Sequence, residues 1–157
     1  MPSAAGFQHV VRELERRDVD AWAAMRGRLW PDANSAELVQ EARDFVQNGC
    51  GLLLDAVFLA EDDTARPIGF LEMSLRVTSD GCDSSPVPHV EGWFVEDAAR
   101  GRGRGRALMR AAEEWSRARG YKELASDTEI HNEGSLLAHQ KCGFEEVDRL
   151  IKFRKKL

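Results

Sequence analysis

The sequence is poor in the residues that build disulfide frameworks and metal sites. Its 157 residues include three cysteines and four histidines. Because the cysteines are odd in number and widely spaced, no disulfide framework and no cysteine-paired zinc site is expected. The histidines also lack the short, regular spacing of a metal-binding helix motif. We therefore predict no bound metal and a reducing location, the cytoplasm.

Long apolar runs are also missing. No stretch approaches the roughly 20 residues that cross a bilayer, and no signal peptide precedes the first polar segment. Charged residues make up 31% of the chain and hydrophobic residues 43%, as is usual for a globular domain with its own core. We expect one domain over residues 1–157 and no association with a membrane.

An excess of positive charge is the third absence. The formal net charge is -5, which argues against a nucleic acid or an anionic membrane as the partner. The acidic balance favours a cationic partner only mildly, and a merely soluble surface is the better explanation of this charge alone. Charge therefore leaves the function open and removes one class of binder.

Apolar periodicity and turn residues predict strands that alternate with helices. The residues around Gly92 predict a strand with a bulge or a close backbone approach, and the unit from Val90 to Asp127 predicts two parallel strands joined by a helix. Residues 78–88 are rich in turn formers and predict a loop. The predicted strands are residues 7–14, 51–63, 66–77, 89–97, 122–130 and 144–157, and the predicted helices are residues 17–30, 36–48, 104–119 and 132–143.

The run "RGRGRGR" (residues 100–106) stands between a predicted strand and a predicted helix. It allows a phosphate cradle, an Arg-Gly segment for RNA or a solvated linker. Its glycines follow neither the dinucleotide-binding pattern nor the phosphate loop of nucleoside-triphosphate enzymes. Its position favours an anion, because helix N-termini present free N–H groups and glycine lets the backbone approach closely.

The spacing Arg100-x-x-Gly103-x-Gly105 resembles the acetyl-coenzyme A motif of the GNAT family of N-acetyltransferases. The segment "ASDTEIHNEGSLLAHQKCGFEEV" resembles the second half of that family, so the resemblance covers nearly the whole chain. It implies an α/β (α+β) fold, a central mixed, twisted sheet with helices on both faces and a splayed parallel pair of strands. It also implies acetyl-coenzyme A as the cofactor.

Several segments are similar to one branch, the aminoglycoside 6'-N-acetyltransferases: "LWPDA", "GCDSSPV", "VEGWFV", "ASDT" and "HQKCGFEE". The resemblance implies an enzyme that acetylates the 6'-amine of an aminoglycoside. The alternatives are a GNAT enzyme for a polyamine or a protein N-terminus, and a sensor that binds coenzyme A without turnover.

Acetylation of a protonated amine needs a carboxylate that holds the cation and takes its proton. The resemblance places such groups at Asp127, as amine ligand and base, and at Glu91, as second ligand. The alternative is that each carboxylate caps a turn or pairs with an arginine. Trp30 and Asp83 are expected at the wall and rim of the substrate groove. The acidic residues of the second helix extend the groove or form a solvated face: Glu37, Glu41 and Asp44.

For the cofactor, the resemblance implies main-chain contacts at the end of the fourth strand, a pyrophosphate loop and one polar side chain. These residues are Phe94, Val95, Arg100, Gly101, Arg102, Gly103, Arg104, Gly105 and Asn132. Many relatives carry a tyrosine seven residues after that asparagine, as general acid, and here His139 takes its place. It is a candidate acid or a structural histidine. The alternation in "IKFRKKL" predicts a subunit contact, and we expect a homodimer.

Overall fold

A single mixed sheet organises the computed structural model, which describes residues 11–49 and 51–157. The strands lie in the order β1-β2-β3-β4-β5. The first four are antiparallel to their neighbours, and β4 pairs with β5 in parallel. Their bounds are β1 Val11–Glu13, β2 Ala56–Glu61, β3 Pro67–Arg76, β4 Val87–Val95 and β5 Ala125–Ser126. The mixed sheet and its parallel pair confirm the predicted fold class. Residues 7–10 of the predicted first strand lie outside the described ranges.

Local sequence signals account for the helix ends. Asn34 begins α2 by accepting a hydrogen bond from the N–H of Ala36, and Gly49 ends it with a φ of 65°, where glycine carries no penalty. Pro31 follows α1 closely and prevents its continuation. The bounds are α1 Val19–Leu29, α2 Ser35–Asn48, α3 Arg104–Ala118 and α4 Glu133–Lys141. None of the helices in the described ranges is both long and apolar enough to cross a membrane.

The two faces of the sheet each bury an apolar cluster. On one face Leu71 and Met73 pack against Leu108 and Met109 of α3. On the other face Phe70 packs with residues of α1 and α2, Trp22 among them. Each fully buried large side chain contributes about 1.5–3 kcal/mol relative to an exposed one. The helices therefore cover both faces, as predicted.

A β-bulge interrupts β4 where the sequence predicts one. Gly92 lies opposite Glu72 and Val90 lies opposite Met73, so Glu91 has no partner residue on β3. A Cβ atom at position 92 would lie 2.9 Å from Cη2 of Trp30, which explains the glycine. The bulge leaves the Glu91 side chain beside polar residues of β3.

The parallel strands β4 and β5 pair over two residues only, His89 with Ala125 and Val90 with Ser126. Beyond this point the strands diverge, so the β5-facing main chain of residues 91–95 has no strand partner among the described residues. The splayed pair that the resemblance implies is therefore present. It opens a gap next to the start of α3.

Two predicted elements are wrong in extent or kind. Residues 144–157, predicted as a last strand, form neither strand nor helix, and the predicted strand 122–130 contains only the two residues of β5. A strand exists through hydrogen bonds to a neighbour, and residues 144–157 pair with no strand among the described residues. A smaller error concerns Val87 and Pro88, which belong to β4 and not to the predicted loop.

Candidate active site

The glycine-rich run forms the turn into α3. Gly101 has a φ of 75° and Gly103 a φ of 80°, a region that L-residues with side chains rarely adopt. Gly103 is the N-cap residue of α3, and no side chain caps that end of the helix. The first N–H groups of the helix therefore face the gap beside β4 with the positive end of the helix dipole.

The arginines of this run divide into two groups. Arg100 donates to the carbonyl of Val95 at 2.9 Å, and Arg106 donates to the carbonyl of Lys141 at 2.6 Å. These two side chains tie the turn to β4 and α4. Nε of Arg104 is buried without a hydrogen-bond partner, and Arg102 is exposed. An orphaned guanidinium nitrogen beside uncapped helix N–H groups is a suitable receptor for a phosphate.

Glu91 is held by residues of β3. Its carboxylate accepts from the hydroxyl of Ser74 at 2.5 Å and from Nε and Nη2 of Arg76 at 2.9 and 2.7 Å. Burial acts to raise the pKa of Glu91, but the hydrogen bonds from Arg76 and Ser74 outweigh it and keep the pKa below its ordinary value. Glu91 is therefore an ionised carboxylate with its acceptor sites largely taken.

Asp127 lies directly after β5 and joins the same cluster. Its Oδ2 atom is 3.9 Å from Nη1 of Arg76 and 3.4 Å from Nε2 of His89, while its side chain is 75% exposed. The parallel pairing of β4 with β5 brings Asp127 and Glu91 to one end of these strands. The two carboxylates predicted from sequence thus share Arg76 and His89 as neighbours, and Asp127 is the one open to solvent.

A second, buried charge pair lies under the bulge. Trp22 donates to Oε2 of Glu72 at 3.1 Å, and Nε of Arg26 lies 3.2 Å from the same oxygen. Burial raises the pKa of Glu72 to about 7, although Arg26 and Trp22 act to lower it. The guanidinium of Arg26 also lies over the rings of Trp22 and Trp30, 5.4 and 5.2 Å from their centroids. This network fixes Trp30, a predicted wall residue, against Gly92.

His139 and Asn132 both make contacts within α4 or near it. Nδ1 of His139 lies 2.7 Å from the carbonyl of Ser135, so it carries a hydrogen, and Nε2 lies 2.7 Å from Oγ of Ser126. With the hydrogen on Nδ1, Nε2 is the atom that accepts from the hydroxyl of Ser126. Asn132 caps α4 by accepting from the N–H of Ser135. The ring of His139 also packs edge-on against Trp93 of β4, with the ring centroids 5.2 Å apart. The roles of His139 and Asn132 toward a ligand stay predictions.

The remaining predicted groove residues lie apart from this cluster in their contacts. The loop of Asp83 is tied by its main chain to Glu123, and the contacts of its exposed side chain do not reach Glu91. On α2, Glu41 pairs with Arg26 at 3.3 Å, while Glu37 accepts from Asn34 and Asp44 from Gln40. These acidic residues therefore have local partners within the protein.

Ser74, Arg76 and His89 are the site residues that sequence reasoning missed. One pattern in the sequence points to two of them: Ser74 and Arg76 alternate with apolar residues along β3, although the strand is buried over most of its length. Polar residues at period two on a buried strand are expensive unless they serve a site. His89 stands two residues before Glu91 on the same strand.

Together the loop and the cluster can bind an anion and a cation on either side of one gap. The uncapped helix N-terminus suits a phosphate, and the exposed carboxylate of Asp127 suits an ammonium group and its proton. The unpaired main chain of β4 between them can hydrogen-bond an extended ligand.

Comparison with known proteins agrees with this geometry. The model of the acetyltransferase (GNAT) family matches residues 16–144. The chain is 40% identical over 148 residues to an aminoglycoside N(6')-acetyltransferase type 1 of Klebsiella aerogenes, covering 94% of this chain and 97% of that protein. It is also 40% identical over 147 residues to the protein of the same name from Stenotrophomonas maltophilia, with coverages of 92% and 91%.

Solved structures show the same fold. One is the aminoglycoside N-acetyltransferase AAC(6')-Iy in complex with coenzyme A, with a TM-score of 0.84 and 34% identity over 99% of both chains. Another is AAC(6')-Iy with the bisubstrate analog CoA-S-monomethyl-acetylneamine, with a TM-score of 0.83 and 34% identity over 96% of this chain and 99% of that one.

Proposed function

Because the chain belongs to the acetyltransferase (GNAT) family, we propose that it transfers the acetyl group of acetyl-coenzyme A to the 6'-amino group of aminoglycosides. The observation that carries this proposal is the uncapped, glycine-rich start of α3, together with an exposed Asp127 directly after β5, the strand that pairs in parallel with β4. We place the reaction in the cytoplasm, a reducing compartment in which the free thiols of Cys82 and Cys142 stay reduced.

The residues around the start of α3 suit the cofactor. Acetyl-coenzyme A supplies an acetyl group that is activated as a thioester. The main-chain N–H groups of residues 101–105 are proposed to hold its pyrophosphate, with Arg102 and Arg104 adding positive charge and Arg100 holding the turn in place. The main chain of Phe94 and Val95 hydrogen-bonds the pantetheine arm, and Asn132 provides a further polar contact from the start of α4.

Asp127 is proposed to bind the substrate ammonium and take its proton, because its carboxylate is exposed and not fully paired. Glu91 is the second acidic ligand and also fixes Arg76. Trp30 forms the groove wall, and Asp83 lies on a rim loop. His139 is proposed as the acid for the departing thiolate, with Ser126, hydrogen-bonded to its Nε2 atom, as the relay.

The test of the activity is direct. The protein is mixed with acetyl-coenzyme A and kanamycin, free thiol is followed, and the acetylated position is mapped on the product. The expected result is thiol release with acetylation at the 6'-amine. Release with a polyamine or a peptide N-terminus but with no aminoglycoside would identify the other GNAT activities. Binding of coenzyme A without turnover on any amine would identify a sensor.

Variants of the acidic residue test its place in the groove. Asp127→Asn should lower turnover by about 10²-fold or more, the range for loss of a general base, with the affinity for coenzyme A unchanged. Asp63→Asn is the matched control, because Asp63 is an exposed residue in the turn after β2. Equal turnover in the two variants would refute the role of Asp127.

The C-terminal segment, residues 145–157, supports a homodimer. It has neither strand nor helix, and its apolar side chains are strongly exposed, with Phe153 at 92%. Its last residues are basic, whereas the chain as a whole carries a net charge of -5. Exposed apolar residues beside cations fit the acidic surface of a second copy, whose short strand β5 offers an outer edge. The exposed apolar residues are Val147, Leu150, Ile151, Phe153 and Leu157.

Sedimentation equilibrium tests this assembly. The wild-type chain should have the mass of a dimer, and Phe153→Asp should shift it toward the monomer by placing a charge in the buried contact. Glu145→Asp, a conservative change at the exposed first residue of the segment, is the control and should leave the mass unchanged. A wild-type chain that is monomeric at high protein concentration would refute the dimer.

A further inference from the structure

His89 lies buried directly between the two carboxylates of the candidate active site. Its side chain is 2% exposed. Nε2 is 3.4 Å from Oδ2 of Asp127, and Nδ1 is 3.5 Å from Oε1 of Glu91. Neither the binding of the cofactor nor that of the amine described above uses this ring.

The ring is incompletely satisfied for a buried group. Nδ1 has no hydrogen-bond partner and is shielded from solvent. A buried polar atom in such a state needs an explanation, because an apolar side chain would fill the same position without that cost. The carboxylates of Glu91 and Asp127 lie within 3.5 Å of its two nitrogens, so proton exchange with a carboxylate would explain the position of the ring.

The two carboxylates differ in how many hydrogen bonds they already accept. Glu91 already accepts three hydrogen bonds from Ser74 and Arg76, whereas Arg76 approaches Asp127 only to 3.9 Å. We infer that His89 is a positioning residue that acts through Asp127: with its one hydrogen on Nδ1, toward Glu91, the neutral ring takes up on Nε2 the proton that Asp127 receives from the substrate's ammonium group. This inference rests on the proposed acetyl transfer.

The proton balance is simple. The ammonium N–H bond breaks and an O–H bond forms at Oδ2 of Asp127; this proton then passes to Nε2 of His89, which restores the carboxylate. The imidazolium that results faces Glu91 on one side and Asp127 on the other. It releases its proton to solvent through Asp127, which is exposed.

The groups that face His89 set its titration. Glu91 from β4 and Asp127 from beyond β5 favour the imidazolium, while Arg76 from β3 opposes it. Burial and the charge of Arg76 outweigh the carboxylates and keep the pKa of His89 below its ordinary value. The ring is therefore neutral, and able to accept a proton, at neutral pH.

The first test is the pH dependence of turnover. In the wild type kcat should fall as the pH drops through the pKa of His89. His89→Asn keeps a hydrogen-bond donor toward Glu91, at the position of Nδ1, but cannot take the proton, so kcat at pH 7.5 should fall about 10²-fold with the KM for aminoglycoside and for coenzyme A little changed. The acid limb should also disappear. Glu72→Gln, which removes the other nearby group that titrates in this range, should keep the limb. An unchanged limb in His89→Asn would overturn the inference.

The second test does not depend on activity. The imidazole of His89 is titrated by NMR in the unliganded protein and assigned by its absence in His89→Asn. Asp127→Asn should lower its pKa measurably, and Asp63→Asn should not. If the pKa of His89 were the same in Asp127→Asn as in the wild type, the coupling would be refuted, even in an active enzyme. A wild type that acetylates no aminoglycoside would instead refute the proposed function, with the coupling still decided by NMR.

Discussion

Gly101 precedes α3 and Gly120 follows it. Together the two glycines allow a controlled test of the phosphate-binding loop. Gly101 lies in the turn with a φ of 75°, and Gly120 lies just beyond the other end of the helix with a φ of 83°. A Cβ atom at either position would meet nothing within 4 Å. Gly101→Asp and Gly120→Asp thus introduce the same carboxylate into the same backbone conformation and the same open space.

The two variants should lose similar stability and differ in binding. A left-handed φ costs a residue with a side chain about 1–2 kcal/mol, and aspartate tolerates it better than most residues. A carboxylate about 6 Å from one phosphate charge adds a repulsion of about 0.7 kcal/mol in water and about 3 kcal/mol at a partly screened protein surface. With two phosphate charges, Gly101→Asp should weaken the binding of coenzyme A about tenfold at least.

Calorimetric titration with coenzyme A measures the difference, and urea unfolding checks that both variants fold. Gly120→Asp should bind as the wild type does. Raising the salt from 0.15 M to about 1 M shortens the screening length from about 8 Å to 3 Å, so the gap between the variants should narrow. Equal affinities at low salt would refute the reading of residues 101–105 as the pyrophosphate site.

Three further outcomes concern stability. The raised pKa of Glu72, about 7 against 4.5, means that the folded state binds this proton more tightly than the unfolded chain. The free energy of unfolding of the wild type should therefore fall by up to about 3 kcal/mol between pH 4.5 and 7. Urea unfolding at pH 5 and pH 8 should show this decline in the wild type and not in Glu72→Gln, and the same decline in both proteins would contradict the prediction. Gly92→Ala should reduce the stability of the fold by about 1–3 kcal/mol through overpacking, because its Cβ atom would lie 2.9 Å from Trp30. A thermal scan that showed wild-type stability would argue against this contact at the bulge. Glu91→Gln should reduce the stability of the fold by about 1–3 kcal/mol, because Ser74 and Arg76 lose a charged acceptor. The exposed Asp127→Asn should change stability by no more than about 0.5 kcal/mol, and equal losses in the two variants would contradict this contrast.

Features with a local cause could be predicted from the sequence. The turn into α3 depends on Gly101 and Gly103, whose backbone angles few other residues adopt. The bulge of β4 depends on Gly92, which alone leaves room for Trp30. Asn34 and Gly49 fix the ends of α2 in the same way. In each case one residue and its near neighbours determine the geometry.

Features that depend on residues far apart in the chain could not be predicted from the sequence. Residues 144–157 alternate as a strand does, yet a strand also needs an edge to bind, and the alternation does not say where that edge lies. The pairing of Arg76 with Glu91 joins two strands across a bulge, so it requires the register before it can be seen. The burial of His89 depends on the same register, together with the position of Asp127 after β5.

The charges around the two carboxylates indicate that Glu91 and Asp127 have different roles. Glu91 and Asp127 supply two negative charges and Arg76 one positive charge, so one net negative charge remains for the incoming ammonium group. Arg76 forms two hydrogen bonds with Glu91 but only a longer ion pair with Asp127. The uncompensated charge is therefore concentrated on Asp127, which is also the more exposed of the two. An arriving cation that bound Glu91 first would have to displace a guanidinium held in a bidentate pair, whereas at Asp127 it displaces water. We therefore expect Asp127 to receive the amine first, and Glu91, the second acidic ligand, to hold Arg76 so that it pairs only weakly with Asp127.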